Sequence, residues 1–150
     1  MSRVTKTFDA DLELKDAGAI AAAGPTYGTV GGVARILDLG DGLVEGDIII
    51  DVSACEVDSD DENYALFAEV SSDPLFASDV YALAAVMLGS AGTAMGDNLI
   101  GDVDMGVGRY RLPFVNEIAD GVTKRYMRFG VQCFGTLVTG INFIAYLAKR

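Results

Sequence analysis

Arg125-Tyr-Met-Arg-Phe-Gly-Val-Gln-Cys-Phe134 is the stretch that decides the fold. Met127, Phe129, Val131 and Cys133 share one face of an extended chain, and Arg128, Gly130 and Gln132 share the other. Side chains alternate between faces with a period of two only in a strand. The first set therefore belongs to a core and the second to a surface. Ile48 to Cys55 reads the same way, with Ile48, Ile50, Val52 and Ala54 inward and Asp51 and Ser53 outward. In Tyr64 to Val70, the residues Tyr64, Leu66, Ala68 and Val70 share a face, with Glu69 opposite.

Weaker runs extend the pattern. Val33 to Leu39 gives Val33, Ile36 or Leu37, and Leu39. Tyr110, Leu112 and Phe114 alternate with Arg109, Arg111 and Pro113, and the proline marks an edge or a strand end. Val80 to Leu88 suits helix or strand by period alone, and its neighbours favour a strand. Asp16 to Gly24 is rich in Ala, but two Gly and Pro25 interrupt any helix. Ile141 to Ala148 is apolar on both faces, which predicts burial between layers or against a neighbouring molecule. Gly and Asp cluster between these runs, at Gly40–Gly46, Asp58–Asn63, Gly89–Asn98, Gly101–Gly108 and Asp120–Gly121. Short strands spaced by such turns predict an all-β, antiparallel β-sandwich or jelly roll. The 150 residues form one domain over 1–150, with residues 1–10 expected as a loose N-terminal arm.

Composition narrows the function. Apolar residues make up 51% of the chain, too many for a disordered acidic tail. The longest clean apolar run, Val80 to Leu88, falls far short of the roughly 20 residues a bilayer span needs, so no membrane partner is expected. The start, Met1 to Lys15, has no apolar stretch behind its basic residues and does not read as a signal peptide. Cys55 and Cys133 lie far apart inside strand-like runs and read as two buried thiols. Histidine is absent, which removes the usual general base and the commonest transition-metal ligand. Ser-His and Cys-His catalysis are thereby excluded, and an enzyme is not expected.

Charge is laid out unevenly. Between Ile36 and Gly108 there is no Lys or Arg and there are sixteen Asp or Glu. From Arg109 to Arg150 there are seven basic residues and two acidic ones. The anionic middle carries −16, the cationic end +5 and the balanced start 0, which together give the net −11. Such a chain either presents two unlike surfaces to partners or mixes the two regions again as it folds. Its strong negative charge argues against a nucleic-acid partner.

Candidate sites are few. Asp58, Asp60, Asp61 and Glu62 offer hard oxygen ligands at short spacing, as a calcium site would. They lack the Gly and Glu spacing of the helix-loop-helix calcium motif and read equally as a solvated hairpin tip. Asp97, Asp102 and Asp104 form a looser acidic group in a Gly-rich loop. Gly31-Gly32 and Gly106-x-Gly108 precede no helix and read as turns rather than phosphate loops. No cofactor is expected. Lys124, Arg125 and Arg128, with Tyr126 between them, form the main cationic group, and Arg109 and Arg111 add to it. These five are the candidate partner-interface residues. They either meet an acidic partner or pair with the Asp-rich middle of the same chain.

Several pieces, in order along the chain, resemble a known family. They are Asp11-Leu-Glu-Leu-Lys-Asp-Ala-Gly-Ala-Ile20, Asp38-Leu-Gly40, Leu66-Phe-Ala-Glu-Val-Ser-Ser-Asp-Pro-Leu-Phe-Ala-Ser78, Gly108-Arg-Tyr-Arg-Leu-Pro113 and Arg125-Tyr-Met-Arg-Phe129. The ordered set resembles the jelly-roll capsid cement (decoration) proteins of tailed bacteriophages, of the type seen in short-tailed Bordetella phage. Ala21–Gly32 and Gly89–Gly108 depart from that pattern. The resemblance implies no catalytic residues. It implies a subunit outside the capsid of the virion, made in the host cytoplasm, that binds the major capsid protein and ties neighbouring capsomers together. A homo-oligomer, dimer or trimer, fits that role, and the apolar terminal run is the expected self-association or shell-facing element. The alternative function is a carbohydrate- or receptor-binding jelly-roll module on a virion. It calls for exposed aromatics, and the chain has no Trp.

Overall fold

Period-two alternation becomes two antiparallel sheets whose apolar faces meet. The computed structural model describes residues 8–90 and 105–150. After a 3-10 turn at Ala10–Leu12 come β1 (Glu13–Lys15), β2 (Ala19–Ile20), β3 (Gly24–Tyr27), β4 (Thr29–Val30), β5 (Val33–Ala34) and β6 (Leu37–Asp38). The longer strands follow: β7 (Glu45–Cys55), β8 (Asn63–Ser71), β9 (Tyr81–Gly89) and β10 (Gly108–Val115). The chain ends with β11 (Glu117–Ala119), β12 (Val122–Thr123), β13 (Tyr126–Phe134) and β14 (Ile141–Lys149).

The first sheet has the order β1-β14-β7-β10, with β2 also on β14. The second has the order β3-β13-β8-β9, with β6 also on β13. The pairs β4-β5 and β11-β12 form small hairpins. Successive main strands therefore enter the first, second, first, second, second, first, second and first sheet. That alternation is the double Greek key of a jelly roll.

The core lies between the sheets. Tyr64, Leu66, Ala68 and Val70 of β8 and Met127, Phe129, Val131 and Cys133 of β13 are buried, as their alternation predicts. They face Ile48, Ile50 and Val52 of β7 and Phe143, Ala145 and Leu147 of β14 in one cluster. The rings of Phe129 and Phe143 meet edge to face across the layers, 6.1 Å apart. Each such side chain contributes about 1.5–3 kcal/mol through burial.

Four local readings need correction or completion. Ala54 is exposed, because Asn142 pairs with Ala54 while Phe143 pairs with Val52. Ser53 is thus an extra residue, and this bulge reverses the alternation so that Cys55 packs against the core instead. Val33 does not face the core, because it follows the Gly31-Gly32 turn of the β4–β5 hairpin and is exposed. Leu37, not Ile36, turns inward beside Leu39. The two-faced run Ile141–Ala148 is covered within the molecule. Its strand lies between β1 and β7, and its second face forms a small cluster of Ile49, Tyr146 and Ala148. Phe8 caps that cluster edge-on, 5.3 Å from the Tyr146 ring.

The Val80–Leu88 run forms a strand, as expected, with bounds Tyr81–Gly89, and no helix forms over Asp16–Gly24. Pro113 sits in β10, an edge strand. Neither cysteine is in a disulfide; Cys133 is buried as expected, whereas Cys55 is only half-buried. Of the expected arm over 1–10, residues 1–7 lie outside the described residues. Phe8–Ala10 lie against the body, where the Asp9 carboxylate accepts from Asp11 N–H and Arg35 donates to the Ala10 carbonyl.

Candidate partner-binding surface

The cationic residues of the chain's end meet the acids of its middle inside the molecule. Lys124 Nζ lies 2.6 Å from Asp79, and the Arg125 guanidinium clasps Asp38 with two bonds of 2.8 Å and reaches Asp41 at 3.4 Å. Arg128 pairs with Glu69 at 2.7 Å, and Arg109 pairs with Asp51 through two bonds of 2.6 and 2.8 Å. Arg111 and Arg150 both reach the buried Asp47, at 3.0 and 3.2 Å. Lys124, Arg125, Arg128, Arg109 and Arg111 thus follow the intramolecular reading. Antiparallel pairing brings most of these together, with β10 beside β7 and β13 beside β8 and β6, while Lys124 and Asp79 meet between connections. The Arg125 guanidinium holds the Asp38 carboxyl down at about 2, and Lys124, with help from Ser72, does the same for Asp79.

The acidic candidates are also engaged. Glu62 is buried and accepts from Ser59 N–H at 2.8 Å, while Asp61 accepts from Thr136 N–H and hydroxyl at 3.0 and 2.8 Å. Asp58 and Asp60 point to solvent. Half of the group is therefore loop capping rather than a solvated tip, and among the described residues no set of acids is gathered as metal ligands would be. Glu56 works in the same way, accepting from the N–H groups of Val138, Thr139 and Gly140 at 2.7–3.1 Å. Those bonds hold its carboxyl below the usual range. The group Asp97, Asp102 and Asp104 lies outside the described residues.

Large apolar side chains are also exposed, and many of them lie at one end. The connections 39–44, 72–80 and 116–125 meet there. Buried Asn116 locks them: its oxygen accepts from Val44 N–H, and its amide donates to the carbonyls of Gly42 and Lys124. Lys124 reaches on to Asp79 and lies 5.2 Å from the Tyr81 ring centre. On this locked base Leu43, Leu75, Val80, Tyr81, Val115 and Val122 stand exposed.

Leu75 is the most exposed of them, at 80%. The neighbouring backbone explains why. Phe76 has φ +52°, which a bulky residue adopts only when held there. Asp73 supplies the hold, its carboxylate accepting from Leu75 N–H and Ala77 N–H at 2.9 Å each. The Phe76 ring then turns inward over the Arg128 guanidinium at 4.4 Å, and Tyr27 covers that guanidinium at 3.6 Å. Turning Phe76 in leaves Leu75 out. Sequence reading passed over Leu75, although Asp73-Pro74 before it marks a turn.

The outer face of the second sheet continues this surface. It presents Pro25, Tyr27, Ala65, Phe67, Ala85 and Met87. Arg128 and Glu69 are its charges, and they neutralise each other. The first sheet's outer face differs, with Asp47, Asp51, Arg109 and Arg111 along it.

Compared with known protein families, with curated proteins and with solved structures, the chain matches none. The topology and these surfaces define a jelly-roll scaffold with an apolar cluster at a hydrogen-bonded loop end and a flank whose charges, Arg128 and Glu69, are paired.

Proposed function

We propose that this chain is a structural virion protein that binds the outer surface of the major capsid shell and cements neighbouring capsomers. It sits outside the capsid after synthesis in the host cytoplasm, and it works as a homo-oligomer. The observation that carries this reading is the locked apolar loop end led by Leu75. Loops already fixed by Asn116 and Asp73 lose little freedom on binding, so a modest contact goes further. Many copies, each bridging two or more shell subunits, add effective concentration to that contact. The ordered sequence pieces quoted above supply the class of partner. Because Lys124, Arg125 and Arg128 are committed to internal pairs, apolar contact supplies most of the affinity.

Co-sedimentation tests the proposal. The purified chain saturates on mature heads and leaves free capsid subunits unbound. Leu75→Asp lowers head affinity about tenfold or more, the equivalent of losing one buried Leu. Equal binding to free subunits, or full occupancy by the Leu75→Asp variant, overturns the reading. Specific glycan binding with no head binding points instead to a carbohydrate- or receptor-binding module.

A further inference from the structure

A sheet edge offers a row of backbone N–H and C=O groups to any chain that can lie beside it. The two sheets have four edges, and three carry guards. At β1, which is only three residues long, the Arg35 guanidinium donates to the Glu13 carbonyl and to the Asp11 and Ala10 carbonyls of the turn that leads into it. At the opposite end of the same sheet, β10 carries Arg109, Arg111 and Pro113. In the second sheet, β3 and β6 are short and interrupted, and Pro25 has no N–H to give.

The fourth edge is β9. Its nine residues, Tyr81-Ala-Leu-Ala-Ala-Val-Met-Leu-Gly89, include no charge and no proline. One side pairs with β8 along its length. Among the described residues, the other side is bridged only at Gly89, by Met105. Ala68 pairs with Ala84 while Glu69 pairs with Ala82, so Leu83 is a bulge and Ala84–Leu88 is the regular part.

We propose that β9 pairs with β9 of a second copy of this chain, antiparallel about a two-fold axis across Ala84–Leu88, so that the second sheets of two molecules run on as one. The charge balance selects a like partner here. A chain of net −11 repels its own copies wherever acids face acids, and along β9 no acid is present to repel. Outward side chains do not obstruct the approach, because Ala82 and Ala85 are small and exposed. A two-fold also closes the assembly at two copies, since each β9 edge satisfies the other. The inference rests on the homo-oligomeric part of the proposed function and deepens it by naming the joining strand.

Sedimentation velocity on the full chain, from micromolar concentration upward, tests it without any shell. The expected mass is that of two copies, and Ala85→Lys returns it to one while circular dichroism stays unchanged. Hydrogen exchange on the unmodified chain gives a second reading that needs no variant: β9 amides slow as concentration rises. A one-copy mass throughout, a two-copy mass untouched by Ala85→Lys, or β9 exchange independent of concentration overturns the pairing. The last result includes the case in which residues 91–104 of the same chain cover the edge. A paired β9 on a chain that ignores mature heads sinks the shell reading alone, and head binding by a one-copy chain sinks only the pairing.

Discussion

Arg128 shows how much one residue carries in this molecule. Its guanidinium is stacked between Tyr27 and Phe76, bonded to Glu69 and only 19% exposed. It is a structural pin of the loop end rather than a free cation awaiting a partner. Arg128→Glu sets two carboxylates against each other in a half-buried site, and we expect about 3 kcal/mol of destabilisation, as for a buried pair broken by losing one partner. Arg128→Met keeps the stem over the rings and costs markedly less. Urea unfolding midpoints of the two variants check the order, and equal losses refute the pairing argument. In the same neighbourhood, φ +52° at Phe76 is tolerated because Asp73 holds the flanking N–H groups.

At the scale of elements, Arg35 stands in for a missing strand. It serves three carbonyls in the segment 10–13, where β1 is only three residues long. We expect Arg35→Ala to speed amide exchange of β1 roughly tenfold, the equivalent of one lost charged hydrogen bond, and to leave β8 and β13 unchanged. Uniform acceleration across all strands counts against this local role. The strands themselves were legible in the sequence wherever one face is apolar and the other is not. Met127, Phe129, Val131 and Cys133 needed no partner to be placed. The Ser53 bulge was not legible, because an extra residue exists only relative to the register of β14. Nor were the ion pairs, since Lys124 finds Asp79 across 45 residues and Arg125 finds Asp38 across 87. Leu75 escaped notice because an apolar residue after a turn reads like the start of a strand, and only the backbone of Phe76 turns it outward.

For the molecule as a whole, carboxylates hold the loops and strands together, and this sets its response to acid. Arg125 lowers Asp38 from 3.8 to about 2, Lys124 lowers Asp79 likewise, and Asp51, Asp61 and Glu56 are lowered by Arg109, by Thr136 and by the Gly140 and Val138 N–H groups. A carboxyl lowered on folding contributes its full stabilisation above its unfolded value and loses it as pH falls through the folded one. Melting temperature is therefore expected to hold above about pH 5 and to fall steeply from about pH 4 toward 2. A flat profile through that window refutes the role given to these acids. Strand order has a further consequence, for biosynthesis. The middle positions of both sheets belong to the last two strands, β13 between β3 and β8 and β14 between β1 and β7. Before these two segments are made, β7 can pair with β10 and β8 with β9, but nothing joins those pairs to β1 and β3. A chain stalled before Tyr126 therefore holds two incomplete sheets with open inner edges, the kind of exposed intermediate that chaperones bind.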